Sequence, residues 1–141
     1  MSKVTVTQNN LTPENFSRSK PDIVATAITL LSDPATIKAQ QQALDALRDP
    51  IIKCGIGALS VIFENKSNGQ AIMVQGGLQL DRNNAASLNT ASPLVAVDGP
   101  LNIPNNMRPD RFPQSTKVEG SAAGGWDIRL SVGVPQAGCT R

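Results

Sequence analysis

Histidine and tyrosine are both missing from this 141-residue chain, and each absence narrows what it can do. Without imidazole there is no serine or cysteine catalysis with histidine as base, and no zinc site built from cysteine and histidine. Only four residues are aromatic, Phe16, Phe63, Phe112 and Trp126, so the core has to be aliphatic, and sugar or lipid-headgroup sites, which rely on aromatic faces, are disfavoured. The two cysteines, Cys54 and Cys139, stand far apart and form no Cys-x-x-Cys pair. They read as two buried or idle thiols rather than as a bridge. Charged residues make up 17% of the chain, and the net charge of +2 is dispersed without a block of either sign, unlike the concentrated basic face of nucleic-acid binders. The longest apolar run, Ile51 to Phe63, spans 13 residues and contains Lys53, too short to cross a bilayer. The opening Met1-Ser2-Lys3-Val4 has no basic segment followed by an apolar one. The expectation is therefore cytoplasmic synthesis, with any assembly into a particle following it.

What is present fits one domain over residues 1–141, with an N-terminal strand and helical part over 1–50 and a β-rich part over 51–141; a chain of this length buries roughly two-thirds of its unfolded surface. The organising stretch is Ile51 to Val74. Two apolar, partly β-branched runs flank Glu64-Asn65-Lys66-Ser67-Asn68-Gly69, which predicts a β-hairpin at the centre of a sheet, its first strand covered on both faces. Before it, Val4 and Val6 alternate with Thr5 and Thr7, as in a short strand with one buried side. That strand lacks an obvious local partner, and the hairpin or a second copy of the chain could supply one. Thr12-Pro13 predicts one helical turn carrying Phe16. Pro21 to Ser32 reads as a helix with Ile23, Ala27, Leu30 and Leu31 on one stripe. Asp33 is placed to cap a second helix, Pro34 to about Arg48, with Ile37, Leu44 and Leu47 on its apolar side and Asp49-Pro50 ending it.

Beyond Val74, Gly76-Gly77 is expected to break the strand and Asp81-Arg82-Asn83-Asn84 to make a turn. Leu94 to Val97 reads as a short strand. Leu101 to Gly120 reads as a long polar loop, with Pro100, Pro104, Pro109 and Pro113 in or beside it. Trp126, Ile128, Leu130, Val132 and Val134 alternate with polar residues, the clearest strand in the chain, with Gly124-Gly125 turning into it. The predicted class is α+β: two N-terminal helices packed on a mostly antiparallel β-sheet or small β-sandwich.

No residue set points to catalysis. Glu64 and Glu119 are isolated carboxylates, and Glu14 and Asp22 suit helix starts electrostatically. Cys54 reads as a core thiol in an apolar strand, its neighbour Lys53 pointing to the other side. Ser60, Ser87 and Ser121 have no nucleophile-elbow context. Gly55 and Gly57 lack the third glycine of a dinucleotide turn and read as room for close packing or a bulge. The glycosylation triplets at Asn10, Asn15 and Asn65 read as chance matches.

Binding is the more open class. Asn102, Asn105, Asn106, Arg108, Asp110 and Arg111 carry the amides, carboxylate and guanidinium groups that recognise sugars, carboxylates or phosphates, and Arg82 could join them if the loops share an edge. Trp126, at a strand start, could anchor an interface. The same loop lacks calcium-ligand spacing, so no metal or cofactor is expected.

These residues lead to one expectation: a non-enzymatic structural subunit that self-assembles, of virus or phage particle, tube or filament type, through β-edge, N-terminal arm and loop contacts. A glycan- or membrane-binding module, such as a lectin or small pore-forming toxin, is the alternative, and a carboxylate-dependent enzyme the next. Nucleic acid would be a partner only inside an assembled shell, through many copies of Arg82, Arg108, Arg111, Lys117 and Arg129.

Overall fold

The computed structural model describes residues 4–7, 11–16, 20–54, 56–80, 82–83, 85–88, 95–98 and 114–134. Three helices precede most of the sheet. The strand β1 (Thr5–Val6) comes first, followed by a single 3-10 turn (Pro13–Asn15) that leads into half-buried Phe16. Helix α1 (Pro21–Leu31) begins with proline in its first turn, where the missing N–H costs nothing, and buries Ile23, Val24, Ala27, Leu30 and Leu31 along one side. Asp33 caps α2 (Pro34–Ala46) as expected, its Oδ1 accepting from the Ala35 N–H at 2.9 Å.

Beyond α2 the sequence reading needs three corrections. Leu44 and Leu47 are buried as expected, but Ile37 is only half-buried and the rest of the buried side of α2 is Thr36, Ala39 and Ala43. Asp49-Pro50 does not end a helix. It lies in the first turn of α3 (Arg48–Cys54), and the Ile51 N–H donates to the Leu47 carbonyl at 3.0 Å. Ile51 and Cys54 therefore belong to a helix and not to the hairpin's first strand, which starts at Ile56. Proline is compatible with a first turn, and Ile51 gains full burial there, 1% exposed.

The hairpin itself is β2 (Ile56–Asn65) and β3 (Ala71–Leu80), and it occupies the middle of the sheet as expected. With β4 (Ala85–Leu88), β5 (Val95–Asp98), β6 (Gln114–Ala122) and β7 (Trp126–Val134), the order is β1-β4-β3-β2-β7-β6, and β5 also pairs with β3. All pairings are antiparallel except β1 with β4. Gly76-Gly77 does not break β3. β3 runs through this pair, meeting β5 up to Gln75 and β4 from Leu78.

The polar run expected to be a loop contains β6. Its alternation is weak to read because only one side meets the core: Gln114, Thr116 and Val118 are half-buried and Ala122 is buried, while Ser115, Lys117, Glu119 and Ser121 are exposed. Gly124 and Gly125, at φ 88° and 83°, turn the chain from β6 into β7, in the left-handed region that favours glycine.

One face of the sheet holds the core. Leu59, Val61 and Phe63 of β2 lie between Val132, Leu130 and Ile128 of β7 and Gly76, Val74 and Ile72 of β3. Burying each large side chain contributes about 1.5–3 kcal/mol. At Gly57 an added Cβ would meet the Gly133 carbonyl oxygen at 3.0 Å, so the close approach here is to the neighbouring strand β7, not to a helix packed above as its sequence context suggested. The opposite face is dry only at its centre, where Ser60, Met73 and Gln75 are buried while Glu64 and Arg129 are exposed. Helix α2 touches β6 and β7 on one flank and β1 on the other, although β1 and β6 are opposite ends of the strand order. The sheet therefore curls around α2 as a half-barrel, rather than pairing with a second sheet as a sandwich.

Candidate functional site

The six-strand order ends at β1 on one side and at β6 on the other, and the two ends are held differently. At the β1 edge, Thr5 and Val6 pair in parallel with Ala85 and Ala86, and the Thr7 N–H donates to the Ala86 carbonyl at 2.9 Å. The expectation that the N-terminal strand lacks a local partner is thus corrected: it is held within the chain. Its other side meets a side chain. The Val6 N–H donates to Gln41 Oε1 at 3.1 Å, and Gln41 Nε2 donates to the Val4 carbonyl at 2.8 Å. One primary amide offers the same acceptor and donor as a peptide group, so Gln41 stands where a further strand's backbone would pair. Asp45, one turn on, accepts from the same Nε2 at 2.9 Å and holds the amide's orientation. Next to this clamp, Val6, Leu11, Leu44, Leu59, Leu78 and Val132 line an apolar cleft whose cavity is about 20 Å³. That is room for about one water, far below the several hundred Å³ of a small-molecule site.

At the opposite edge β6 runs for nine residues, and among the described residues it pairs with β7 alone. It is fastened at its far end by Asp33, whose Oδ2 accepts from the Ala123 N–H at 3.3 Å. The cap of α2 thereby also anchors the β6–β7 turn. On the outer face the charges alternate across strands. Register places Glu119 opposite Arg129, and Arg129 Nη2 lies 3.7 Å from Glu64 Oε1. Lys66 Nζ lies 3.4 Å from Asp127 Oδ2. Exposed pairs of this kind contribute well under about 1 kcal/mol each, but they fix the pattern of sign on the face.

The residues singled out in the sequence fare unequally. Asn102, Asn105, Asn106, Arg108, Asp110 and Arg111 lie outside the described residues. Arg82 is exposed in the turn between β3 and β4, next to the Ile56 end of β2, whereas Trp126 pairs with Asn65 at the other end. About nine strand steps, roughly 30 Å, separate those ends, so these two do not converge. Trp126 is partly buried and packs against the core. Glu64 and Glu119 share a face two strands apart, roughly 10 Å by strand spacing, with Arg129 between them. Among the described residues, no group of three or more cysteine, aspartate or glutamate side chains is placed to hold a metal ion, and no helix is long and apolar enough to cross a membrane.

Sequence reasoning missed Gln41 and the second contact of Asp33. Gln41 stands in a run of three glutamines on an exposed-looking helix, and only the aspartate four residues on hinted at a fixed amide. Asn65, read as a chance glycosylation triplet, is a packing residue. It is 8% exposed, its Oδ1 accepts from the Ser67 N–H at 2.8 Å and its Nδ2 reaches the Gly124 carbonyl at 3.4 Å, joining the two hairpin turns. Comparison with known protein families, with curated proteins and with solved structures finds no significant match for this chain.

Proposed function

We propose that this chain is a non-enzymatic structural subunit that works by assembling with copies of itself, as a particle, tube or filament does. The observation that carries this reading is the unequal finish of the sheet. One edge is closed by a dedicated side-chain amide, while the other ends in a nine-residue strand with Ser115, Lys117, Glu119, Gly120 and Ser121 exposed. Strands at the margins of a sheet are where other copies of a chain can dock, and β6 is the longer and more exposed of the two end strands. The hydrogen bond from Ala123 to Asp33 ties the end of this strand to α2 and supports a fixed surface there. Mass measurement in solution by sedimentation or light scattering, with electron microscopy of the product, tests the reading. Defined oligomers or extended assemblies are expected, and a monodisperse monomer across the accessible concentration range would overturn it.

A further inference from the structure

We infer that Asn68 is a site of self-modification: the Gly69 nitrogen attacks its side-chain amide and converts it to aspartate and isoaspartate, at a rate set by opening of the β2–β3 turn. The reaction needs an asparagine followed by a residue that does not crowd the attacking nitrogen, and Asn68-Gly69 is the single Asn-Gly step in the chain. It stands at the tip of the hairpin, where Lys66, Ser67, Asn68 and Gly69 are all exposed. Gly69 has φ 74°, a conformation that favours glycine, and a Cβ built on it would meet nothing within 4 Å. Base and water therefore reach this peptide from open solvent.

Local hydrogen bonds both prepare the reaction and restrain it. Asn68 Oδ1 accepts from the Gln70 N–H at 2.9 Å. That bond holds the carboxamide beside the following peptide and supplies a donor to the oxygen that gains negative charge when Cγ is attacked. The Gly69 N–H, however, donates to the Asn65 carbonyl at 2.9 Å, and its proton has to leave before the nitrogen can attack. Exposed turns open locally at small free-energy cost, and opening here releases that N–H. Base then removes the proton, the nitrogen bonds to Asn68 Cγ, and the Cγ–Nδ2 bond breaks with Nδ2 leaving as ammonia. Water reopens the five-membered imide at Cγ, giving aspartate, or at the main-chain carbonyl, giving isoaspartate with the chain routed through Cβ.

Asn65, in the same turn, is the contrast. It is 8% exposed and followed by lysine, and its amide is engaged at both ends, by the Ser67 N–H and the Gly124 carbonyl. It also braces the turn, its N–H donating to the Gln70 carbonyl at 2.8 Å, while the Lys66 N–H donates to the Gly125 carbonyl at 3.2 Å.

Incubation of the full chain at mildly alkaline pH, followed by trypsin digestion and mass spectrometry, tests the site. Cleavage after Lys53, Lys66 and Arg82 puts Asn65 and Asn68 in separate peptides, each with no other asparagine. The 67–82 peptide is expected to gain one mass unit and to separate into two isomers, at a rate rising about tenfold per pH unit, while the Asn65 peptide stays unchanged. Asn65→Ala removes the side-chain bonds that brace the turn and is expected to speed conversion about threefold or more, and the parent unfolded in guanidinium about tenfold or more. Circular dichroism checks that the variant keeps its fold, and the unfolded parent provides the comparison without it. Conversion of Asn68 no faster than of Asn65 in the folded parent would overturn the site. Equal rates in the folded and unfolded parent would overturn control by the turn.

Discussion

The two ends of the sheet are built from similar material and finished in opposite ways. β1 is Thr5-Val6, β6 carries Thr116 and Val118 near its middle, and α2 lies against each of them. Yet β1 forms only two ladder residues and is completed by the Gln41 amide, whereas β6 is nine residues long and pairs, among the described residues, only inward. A helix that bridges the mouth of a curled sheet can reach one edge with a side chain while merely resting on the other. Which edge is sealed depends on where along the helix a residue with both an acceptor and a donor falls. Here it is the third turn of α2, two turns beyond the end anchored at Asp33.

The comparison breaks most completely from the middle. Phe63 is 0% exposed and sits on the central strand between the two edges, so Phe63→Ala should cost about 3–5 kcal/mol and loosen both ends together, read as a shift of the urea midpoint with amide exchange rising in β1 and β6 alike. Gln41→Leu should act on one edge alone. It leaves the Val4 carbonyl and Val6 N–H of a part-buried strand without their amide, at a cost of about 1–3 kcal/mol, and hydrogen exchange should show the Val6 amide losing protection while β6 does not change. Equal protection at Val6 in the variant would mean the clamp is idle.

Thr36→Val sharpens the account of α2. Thr36 is 0% exposed and its Oγ1 has no hydrogen-bond partner among the described residues, so exchanging the hydroxyl for a methyl should stabilise the chain by about 1 kcal/mol, a rise in Tm of about 3 °C. The smallest effect belongs to Glu119→Ala. On an exposed position of β6 it should alter the stability of the dilute chain by less than about 0.5 kcal/mol in a urea titration.

Much of the framework was legible beforehand because it depends on local patterning. The β7 alternation, the α1 stripe, the Asp33 cap, the central hairpin and the Gly124-Gly125 turn all follow from period, capping and turn chemistry. The errors share a cause. Ile51 to Cys54 reads as strand because an apolar run has no period of its own, and burial against the sheet makes it helix. Gln114 to Gly120 reads as loop because a strand at the margin of a sheet has few apolar residues to mark it. Gly76-Gly77 reads as an end because the strands that β3 meets on either side of it lie elsewhere in the sequence.

The sequence by itself determined the α+β class, the aliphatic core and the caps and turns that start and stop most of its elements. Each of those is decided by residues within a few positions of one another, whose backbone preferences and side-chain periods act locally. Only the tertiary structure decided that Gln41 should close one margin of the sheet and that β6 should form the other. Both depend on how far the sheet curls around α2, which is a sum of strand twists and packing distances that no single stretch of the chain contains.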